Sequence, residues 1–450
     1  MKYILGAILL VMFHIFLLSK LQFTAWPEML SYPYLLDNGF NLYKDIALPY
    51  QPLLPIILNI VYKTFGYSLS SLLIFTWIII LINDVLIFYI SLKLIGKKLL
   101  TLIPLATYIL LQTFTEGNML WFDLATIPFI LLAILSLLIF KNYKIFFWFG
   151  LFLSFAFFIK QQTGIIYIFL LIYLILGKKF REVFYLLLGS LILTTFVLLY
   201  IQVNGIFRDW IFWTIEVPLL WYPKFPSYSN LPSIKEMLIV TLLVAPGIIS
   251  TFFIKRDYRL NVILLSFLGA FISALPRFEY FRFQPALALY IVLISLIIPK
   301  IKKKYIVLMS YSIILSIVLL LKDNLHFINL QPRFYSEREL KLSKDIIAIT
   351  NKEDKIFILN ENSGLYVLSN RLPPKPWVDN YVWYMEIEGM QEKVLTGFKN
   401  NPPKIIFRRR TLLGNWFDLG TYEPKKIVEY IEQNYKIIGT IDSIDIWTKN

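Results

Sequence analysis

The feature that most limits how this chain can fold is a repetition: apolar runs of fourteen to twenty-four residues, alternating with short clusters of lysine and arginine. The runs fall at about 3–18, 69–92, 99–114, 119–140, 145–159, 164–177, 183–201, 236–254, 260–275, 285–299 and 305–321, eleven in all. With 58% of the chain hydrophobic and only 16% charged, a water-facing surface could not be assembled around them, so most of the runs must face lipid. The sequence predicts a mostly α, polytopic membrane protein with about eleven transmembrane helices.

Charge placement orders the spans. The net charge of +15 would suit a nucleic-acid binder, but much of the excess lies in short clusters between apolar runs, as in cytoplasmic loops of membrane proteins. On one side fall Lys2; Lys93, Lys97 and Lys98; Lys141 and Lys144; Lys178, Lys179 and Arg181; Lys255, Arg256 and Arg259; and Lys300, Lys302, Lys303 and Lys304. These sixteen bases face only Glu182 and Asp257 as acids. The opposite loops hold Glu28, Asp37, Asp45, Glu116, Asp209, Glu216 and Glu279 with fewer bases. The N-terminus is therefore expected in the cytoplasm. Residues 3–18 are read as a retained first helix, since no small-residue cleavage site follows.

Two runs, 145–159 and 164–177, are separated only by Lys160-Gln161-Gln162-Thr163. One continuous helix would place their flanking basic clusters on opposite sides. A hairpin keeps both clusters inside and is the expected arrangement. Each arm would cover only about 20–23 Å of a hydrocarbon core about 30 Å thick. Lys160 would then lie below the outer surface, within the helix bundle.

The domain organisation follows: residues 1–321 form a transmembrane domain with an outer loop at 22–68, and residues 322–450 a small extracytoplasmic α/β domain. Within the outer loop, Pro52 to Tyr62 is apolar but too short to span and is expected as an interfacial helix. In the polar C-terminal part, Ser336 to Thr350, Gly389 to Lys399 and Glu423 to Gln433 are predicted helical. Strands are predicted at Lys355 to Leu359, Leu365 to Leu368, Lys404 to Phe407, Tyr435 to Gly439 and Ile444 to Thr448. The long loop 203–234, with Trp210, Trp213, Trp221 and Tyr222, is expected to form an interfacial aromatic belt.

Candidate chemistry collects on the outer side. In the first outer loop Glu28, Asp37 and Asp45 sit among aromatics and prolines, and a carboxylate beside an apolar surface is a candidate general base. Trp26, Pro27 and Met29 flank Glu28. Glu116 and Asp123 extend the acidic set as candidate substrate contacts, together with Asp37. Lys160, Arg277 and Arg282 are basic groups at outer membrane depth among aromatics, as a lipid phosphate would require. An internal pair such as Arg277 with Glu279 is the structural alternative. Asp84, beside Asn83 in mid-span, is expected in a buried helix-to-helix hydrogen bond. There is no cysteine and only two histidines, His14 and His326, so thiolate and histidine-cluster metal sites are excluded. No cofactor is certain; the carboxylates could still hold Mg²⁺ or Mn²⁺, and metal dependence stays open.

This layout resembles the GT-C superfamily of polytopic glycosyltransferases that use polyprenyl-phosphate sugars, in the branch of protein O-mannosyltransferases and the lipid A aminoarabinose transferase. Glu28 matches the first acid after the first helix, and Gly39, Tyr43, Asp45, Pro49 and Pro52 match the later loop pattern. Arg277, Tyr280, Arg282 and Pro285 resemble the basic-aromatic-proline opening of a late helix, and Gly364 to Pro374 the start of the outer domain. Many relatives carry an Asp, or an Asp-Glu pair, where this chain has Pro27-Glu28.

The resemblance implies a cell-envelope glycosyltransferase moving a sugar from a polyprenyl-phosphate donor to an extracytoplasmic lipid, glycan or protein, with inversion. Glu28 would be the base, with Asp45 orienting a substrate or serving as the base itself. Lys160, Arg277 and Arg282 would hold the donor phosphate, and Tyr43 and Tyr280 would contact substrate. Two other classes stand beside it: a transporter or lipid flippase, disfavoured by the lack of internal repeats, and a non-catalytic envelope assembly protein.

Overall fold

The computed structural model describes residues 2–96, 99–226, 228–415 and 418–450. Lys97 and Lys98 of the 93–98 basic cluster lie outside the described residues. The chain divides into two compact units, one made of Met1–Phe23, Leu73–Leu199 and Asn230–Leu330, the other of Thr24–Leu72, Tyr200–Ser229 and Gln331–Asn450.

The first unit carries, wholly or for the most part, the eleven expected helices: Lys2–Lys20, Leu69–Ile95 (which begins in the other unit), Leu102–Phe114, Phe122–Ile139, Lys144–Ile159, Gly164–Leu176, Phe180–Val203 (which ends in the other unit), Ile234–Ser250, Tyr258–Ala274, Tyr280–Ile297 and Lys303–Asn324. Among the described residues, seven helices are long and apolar enough to cross a membrane, and four of the eleven are shorter apolar helices. This is a multi-pass membrane protein.

Local signals explain several boundaries. Ser233 and Glu236 form a reciprocal capping box before Ile234–Ser250, and Asp257 caps Tyr258–Ala274 through Leu260 N at 2.8 Å. The Tyr280–Ile297 helix is buried on nearly every face from Phe281 onward, the pattern of a central helix apolar all round.

The Lys160 break is a true reversal. Lys160 is extended, Gln161–Thr163 form a 3₁₀ turn, and the Tyr167 hydroxyl returns to donate to the Gly150 carbonyl at 2.8 Å. In one continuous helix those two residues would be about 25 Å apart at ~1.5 Å per residue. Gly150 also lets a neighbour approach: a Cβ there would lie 2.0 Å from the Leu186 carbonyl oxygen, so the Lys144–Ile159 and Phe180–Val203 helices meet backbone to backbone. Mid-bundle, His14 ties three helices together: Nδ1 lies 2.7 Å from Asp84 Oδ2 and Nε2 lies 2.8 Å from Gln112 Oε1. Asp84 thus has the buried interhelical bond expected of it.

The second unit holds a four-stranded sheet, β1 (Ile356–Leu359), β2 (Ile405–Arg409), β3 (Tyr435–Ile441) and β4 (Ile444–Lys449), in the order β1-β2-β4-β3. β1 and β2 are parallel, the other pairings antiparallel. Asp442 and Ser443, both at positive φ, form the two-residue turn between β3 and β4, whose twist such a turn matches. The helices Glu337–Ile349, Met390–Asn400 and Lys425–Asn434 agree with the expected ones.

Three expectations are corrected. Leu365 to Leu368 is not a strand but part of a helix, Gly364–Ser369, closed by left-handed Asn370; an apolar run that short has no period to separate the two forms. The first outer loop carries a helix that was not expected, Glu28–Asp37, ahead of the helix expected from Pro52 to Tyr62, which is observed as Leu53–Phe65. The segment after residue 203 is also helical: Phe207–Ile211 leads into a π-helix, Phe212–Trp221. Its Trp210, Trp213 and Tyr222 are buried rather than set in an interfacial belt. Trp213 Nε1 donates to the Tyr43 carbonyl at 3.0 Å and Trp210 Nε1 to Gln51 Oε1 at 3.1 Å.

Candidate active site

In the second unit the Glu28–Asp37 helix positions the first candidate. Pro27 precedes it and Glu28 occupies its first turn, where an acidic side chain faces the positive end of the helix dipole. Pro33 lies inside this helix and has no N–H for the Met29 carbonyl, four residues back. The Tyr62 hydroxyl donates to that carbonyl instead, at 3.1 Å. Asn59 and Tyr67 donate to the Pro33 carbonyl at 2.9 and 3.1 Å. The Leu53–Phe65 helix and the loop after it thus hold a helix that would otherwise be weakened, and every residue from Glu28 to Leu35 is buried.

Glu28 is 7% exposed, and its Oε2 has no hydrogen-bond partner among the described residues. Burial pushes its carboxyl up to about 8, and the nearby charge of Asp379 adds to the rise. Asp379 is pushed up to about 6, also by burial; the Asn380 N–H at 2.9 Å on Oδ1 and the Ser363 hydroxyl at 3.0 Å on Oδ2 limit the shift. Ser363 in turn lies 3.2 Å, hydroxyl to hydroxyl, from Ser31, one helical turn beyond Glu28. Ser31, Ser363, Asp379 and Asn380 are all buried.

Other contacts join the first outer segment to the C-terminal one within this unit. Tyr34 donates to Asn370 Oδ1 at 2.9 Å, Trp377 N donates to the Asp45 carbonyl at 2.8 Å, and Lys375 Nζ donates to the Gly39 carbonyl.

The remaining first-loop candidates have local partners. Asp45 Oδ2 accepts from Asn41 N at 2.9 Å, closing its own turn, and lies 4.0 Å from Lys375 Nζ. Asp37 ends its helix and pairs with Lys63 at 3.0 Å, partly exposed. Tyr43 is fully buried at φ +69°, a strained conformation for a bulky residue; its hydroxyl donates to the Tyr50 carbonyl at 3.0 Å. These three stabilise the segment around Glu28.

In the first unit the basic candidates form a second cluster. Lys160 Nζ lies 2.5 Å from Asp123 Oδ1, both side chains buried. Asp123, expected to touch substrate, is therefore the counter-ion of Lys160, set by the first turn of Phe122–Ile139. Arg282 and Glu279 are near enough to act on the Lys160 charge. Arg277 Nε pairs with Glu279 at 3.2 Å, the internal pair that the sequence left as an alternative. Tyr280 opens its helix with a buried hydroxyl that has no hydrogen-bond partner among the described residues. Glu116 is exposed in a left-handed turn at φ +55°. Gln284 Nε2 donates to the Gln112 and Thr115 carbonyls at 3.0 and 2.9 Å, fixing the turn that carries Glu116.

Asp379 was missed in the sequence. It stands in Trp377-Val378-Asp379-Asn380-Tyr381, an acid within an aromatic and apolar run after Pro373, Pro374 and Pro376. That is the same signal that marked Glu28. Among the described residues, no group of three or more His, Asp or Glu side chains is placed to hold a metal.

No family model and no curated protein sequence matches this chain. Among solved structures, it is similar to ArnT from Cupriavidus metallidurans bound to undecaprenyl phosphate, with a TM-score of 0.59 at 8% identity, over 99% of this chain and 97% of that one. The apo state of ArnT gives 0.56 at the same identity and coverage. At this identity the likeness is one of fold, the GT-C fold of ArnT, along the full length of both chains.

Proposed function

We propose that this protein is an integral membrane glycosyltransferase that moves a sugar from a polyprenyl-phosphate donor to an extracytoplasmic acceptor. The observation that carries the reading is Glu28: a buried carboxyl in the first turn of the helix that follows the first membrane helix, with one oxygen unpartnered among the described residues and its titration pushed up to about 8. Such a carboxyl holds its proton through most of the neutral range, and the fraction that ionises as pH rises towards 8 is a stronger base than an ordinary glutamate. The fold supports the same reading, since the ArnT structure similar over the whole length was solved with undecaprenyl phosphate bound.

In the proposed reaction Glu28 takes the proton from the acceptor hydroxyl as that oxygen attacks the anomeric carbon. The bond from that carbon to the phosphate oxygen breaks, and its electron pair leaves with the phosphate. A single displacement of this kind inverts the anomeric centre. Arg277 and Arg282, with Lys160, are the proposed partners of the leaving phosphate, whose charge such donors stabilise in the transition state. Asp45 is proposed to act through its turn, holding the segment that follows the Glu28 helix.

The test is transfer itself. Purified full-length protein in lipid nanodiscs is given a panel of radiolabelled undecaprenyl-phosphate sugars and an envelope-lipid extract, with and without EDTA. Label should pass to an acceptor and undecaprenyl phosphate should be released, and the chelator arm reads metal dependence. Label moved across a proteoliposome bilayer with no bond broken would replace the reading with transport. Donor bound without transfer or translocation, or not bound, would leave an assembly role.

A further inference from the structure

The helical segment Phe207 to Trp221 presents different faces, and packing within the second unit accounts for one of them. Trp210, Trp213 and Val217 are buried there. Phe207, Ile215, Leu219 and Leu220 are exposed. Phe207, Ile215 and Leu219 recur at multiples of four residues, so they form one apolar stripe along the segment. Only Asn204, Gly205 and Ile206 separate the segment from the membrane helix Phe180–Val203. An exposed apolar stripe placed there is the lipid-facing side of an interfacial helix.

The face beside the stripe is charged. Arg208, Asp209 and Glu216, with Phe212 among them, form one wall of a surface cleft of about 240 Å³. Arg208 follows Phe207 and Glu216 follows Ile215, so cleft and stripe adjoin along the helix. The other wall is Glu388, Met390 and Lys393, at the start of the Met390–Asn400 helix. Gly389 opens that helix at φ +78°, and among the described residues nothing lies within 4 Å of the place a Cβ would take. The first-turn N–H groups of a helix open in this way favour a phosphate. Two basic and three acidic side chains therefore line one cleft, and among the described residues none of the five is held by an ion pair or a side-chain hydrogen bond.

We propose that this cleft binds the head group of a zwitterionic membrane lipid, one that carries a phosphate and a primary ammonium, with its acyl chains lying along the stripe of Phe207, Ile215 and Leu219. Arg208 and Lys393 take the phosphate, and Asp209, Glu216 and Glu388 take the ammonium. Phe212 and the buried Met390 give the carbon link between the two charges an apolar surface. The charge balance selects for both ends. An anionic head group without an ammonium brings no partner for the three carboxylates, and a simple cation meets the two bases. The volume falls below the roughly 300–1,000 Å³ of sites that enclose a drug-sized ligand, so it fits a head group whose chains remain outside in lipid. No residue of the cleft takes part in the proposed transfer, so the inference stands apart from that reading.

Native mass spectrometry of the full-length protein in detergent reads the lipid directly and needs no sugar donor. Dioctanoyl phosphatidylethanolamine should fill one saturable site, and dioctanoyl phosphatidylglycerol should bind there about tenfold or more weakly for want of the ammonium contacts. Arg208→Ala with Lys393→Ala should weaken phosphatidylethanolamine binding by about tenfold or more. Asp209→Asn with Glu216→Gln and Glu388→Gln should abolish the preference for ethanolamine over glycerol. All five side chains are at least partly exposed, so each variant should melt with the parent, which separates lost binding from lost folding. Ile215→Ser with Leu219→Ser should weaken the lipid and leave the binding of tail-free glycerophosphoethanolamine as in the parent. Equal binding of the two lipids by the parent, or an unchanged preference in the charge variants, overturns the site. Glycerophosphoethanolamine bound as tightly as the lipid would assign the cleft to a soluble zwitterion and overturn the lipid.

Discussion

Glu28→Gln should inactivate this protein while stabilising it. Gln has the size and hydrogen-bonding capacity of Glu without the basicity, so it removes what the reaction needs and also what burial makes costly. On the catalytic side, a positioned base contributes about 10²- to 10⁴-fold, so turnover should fall roughly a hundredfold or more, about 2.7 kcal/mol or more of barrier. Donor affinity should change little.

The stability side follows from linkage. The Glu28 carboxyl is raised from an ordinary value of 4.5 to about 8 in the fold, so between those values the folded chain keeps a proton that the unfolded chain has released. Stability from this group is therefore full below pH 4.5, falls as pH rises through the window, and is lowest above pH 8. At about 1.36 kcal/mol per unit the cost above pH 8 is on the order of a few kcal/mol. Gln carries none of it.

The assay is paired: turnover with radiolabelled donor at saturation, and thermal melting in detergent at pH 5 and pH 8.5. The variant should melt near the parent at pH 5 and above it at pH 8.5. Turnover within threefold of the parent would refute Glu28 as the base. A variant that melts below the parent at both values would refute the buried, proton-holding carboxyl.

Three other outcomes are expected. Arg282→Ala should raise the donor KM about 10- to 100-fold, the loss of one charge-assisted contact of roughly 1.5–3 kcal/mol, with acceptor KM unchanged; an unchanged donor KM removes Arg282 from the phosphate site. Lys160→Ala should yield poorly folded protein, because it strands the buried Asp123 carboxylate at a cost of about 3–5 kcal/mol. Lys160→Met with Asp123→Asn should melt near the parent, and its donor KM then reports whether Lys160 binds phosphate; equal destabilisation in the single and double variants would contradict the ion pair. For topology, the parent has no cysteine, so one introduced at Lys399 or Lys302 is labelled alone. An impermeant thiol reagent should reach Lys302→Cys only in broken cells. Ser369 is buried, so the exposed Lys399 reports the outer side, and Lys399→Cys should be labelled in intact cells. Reversed labelling inverts the topology.

What the sequence determined by itself was whatever depends on neighbours a few residues apart. Membrane helices are such features, because burying twenty consecutive apolar residues in lipid requires no particular partner. The basic clusters, the Lys160 reversal between two short runs, and the four strands with β-branched or aromatic cores were legible for the same reason. So was Glu28, since Trp26, Pro27 and Met29 already make an apolar setting.

Tertiary structure decided the pairings. That Lys160 is neutralised by Asp123, that Asp84 meets His14, and that Glu28 shares its surroundings with Asp379 follows from which surfaces meet, and a sequence does not state that when the partners lie far apart along it. The helix at Gly364–Ser369 was decided in the same way: Tyr366 is turned so that its hydroxyl receives the Ile358 N–H at 2.9 Å, a bond to the edge strand that a local pattern cannot express. Single charges are local facts and could be read. The energy of a buried charge is set by what lies across from it, and only the fold specifies that.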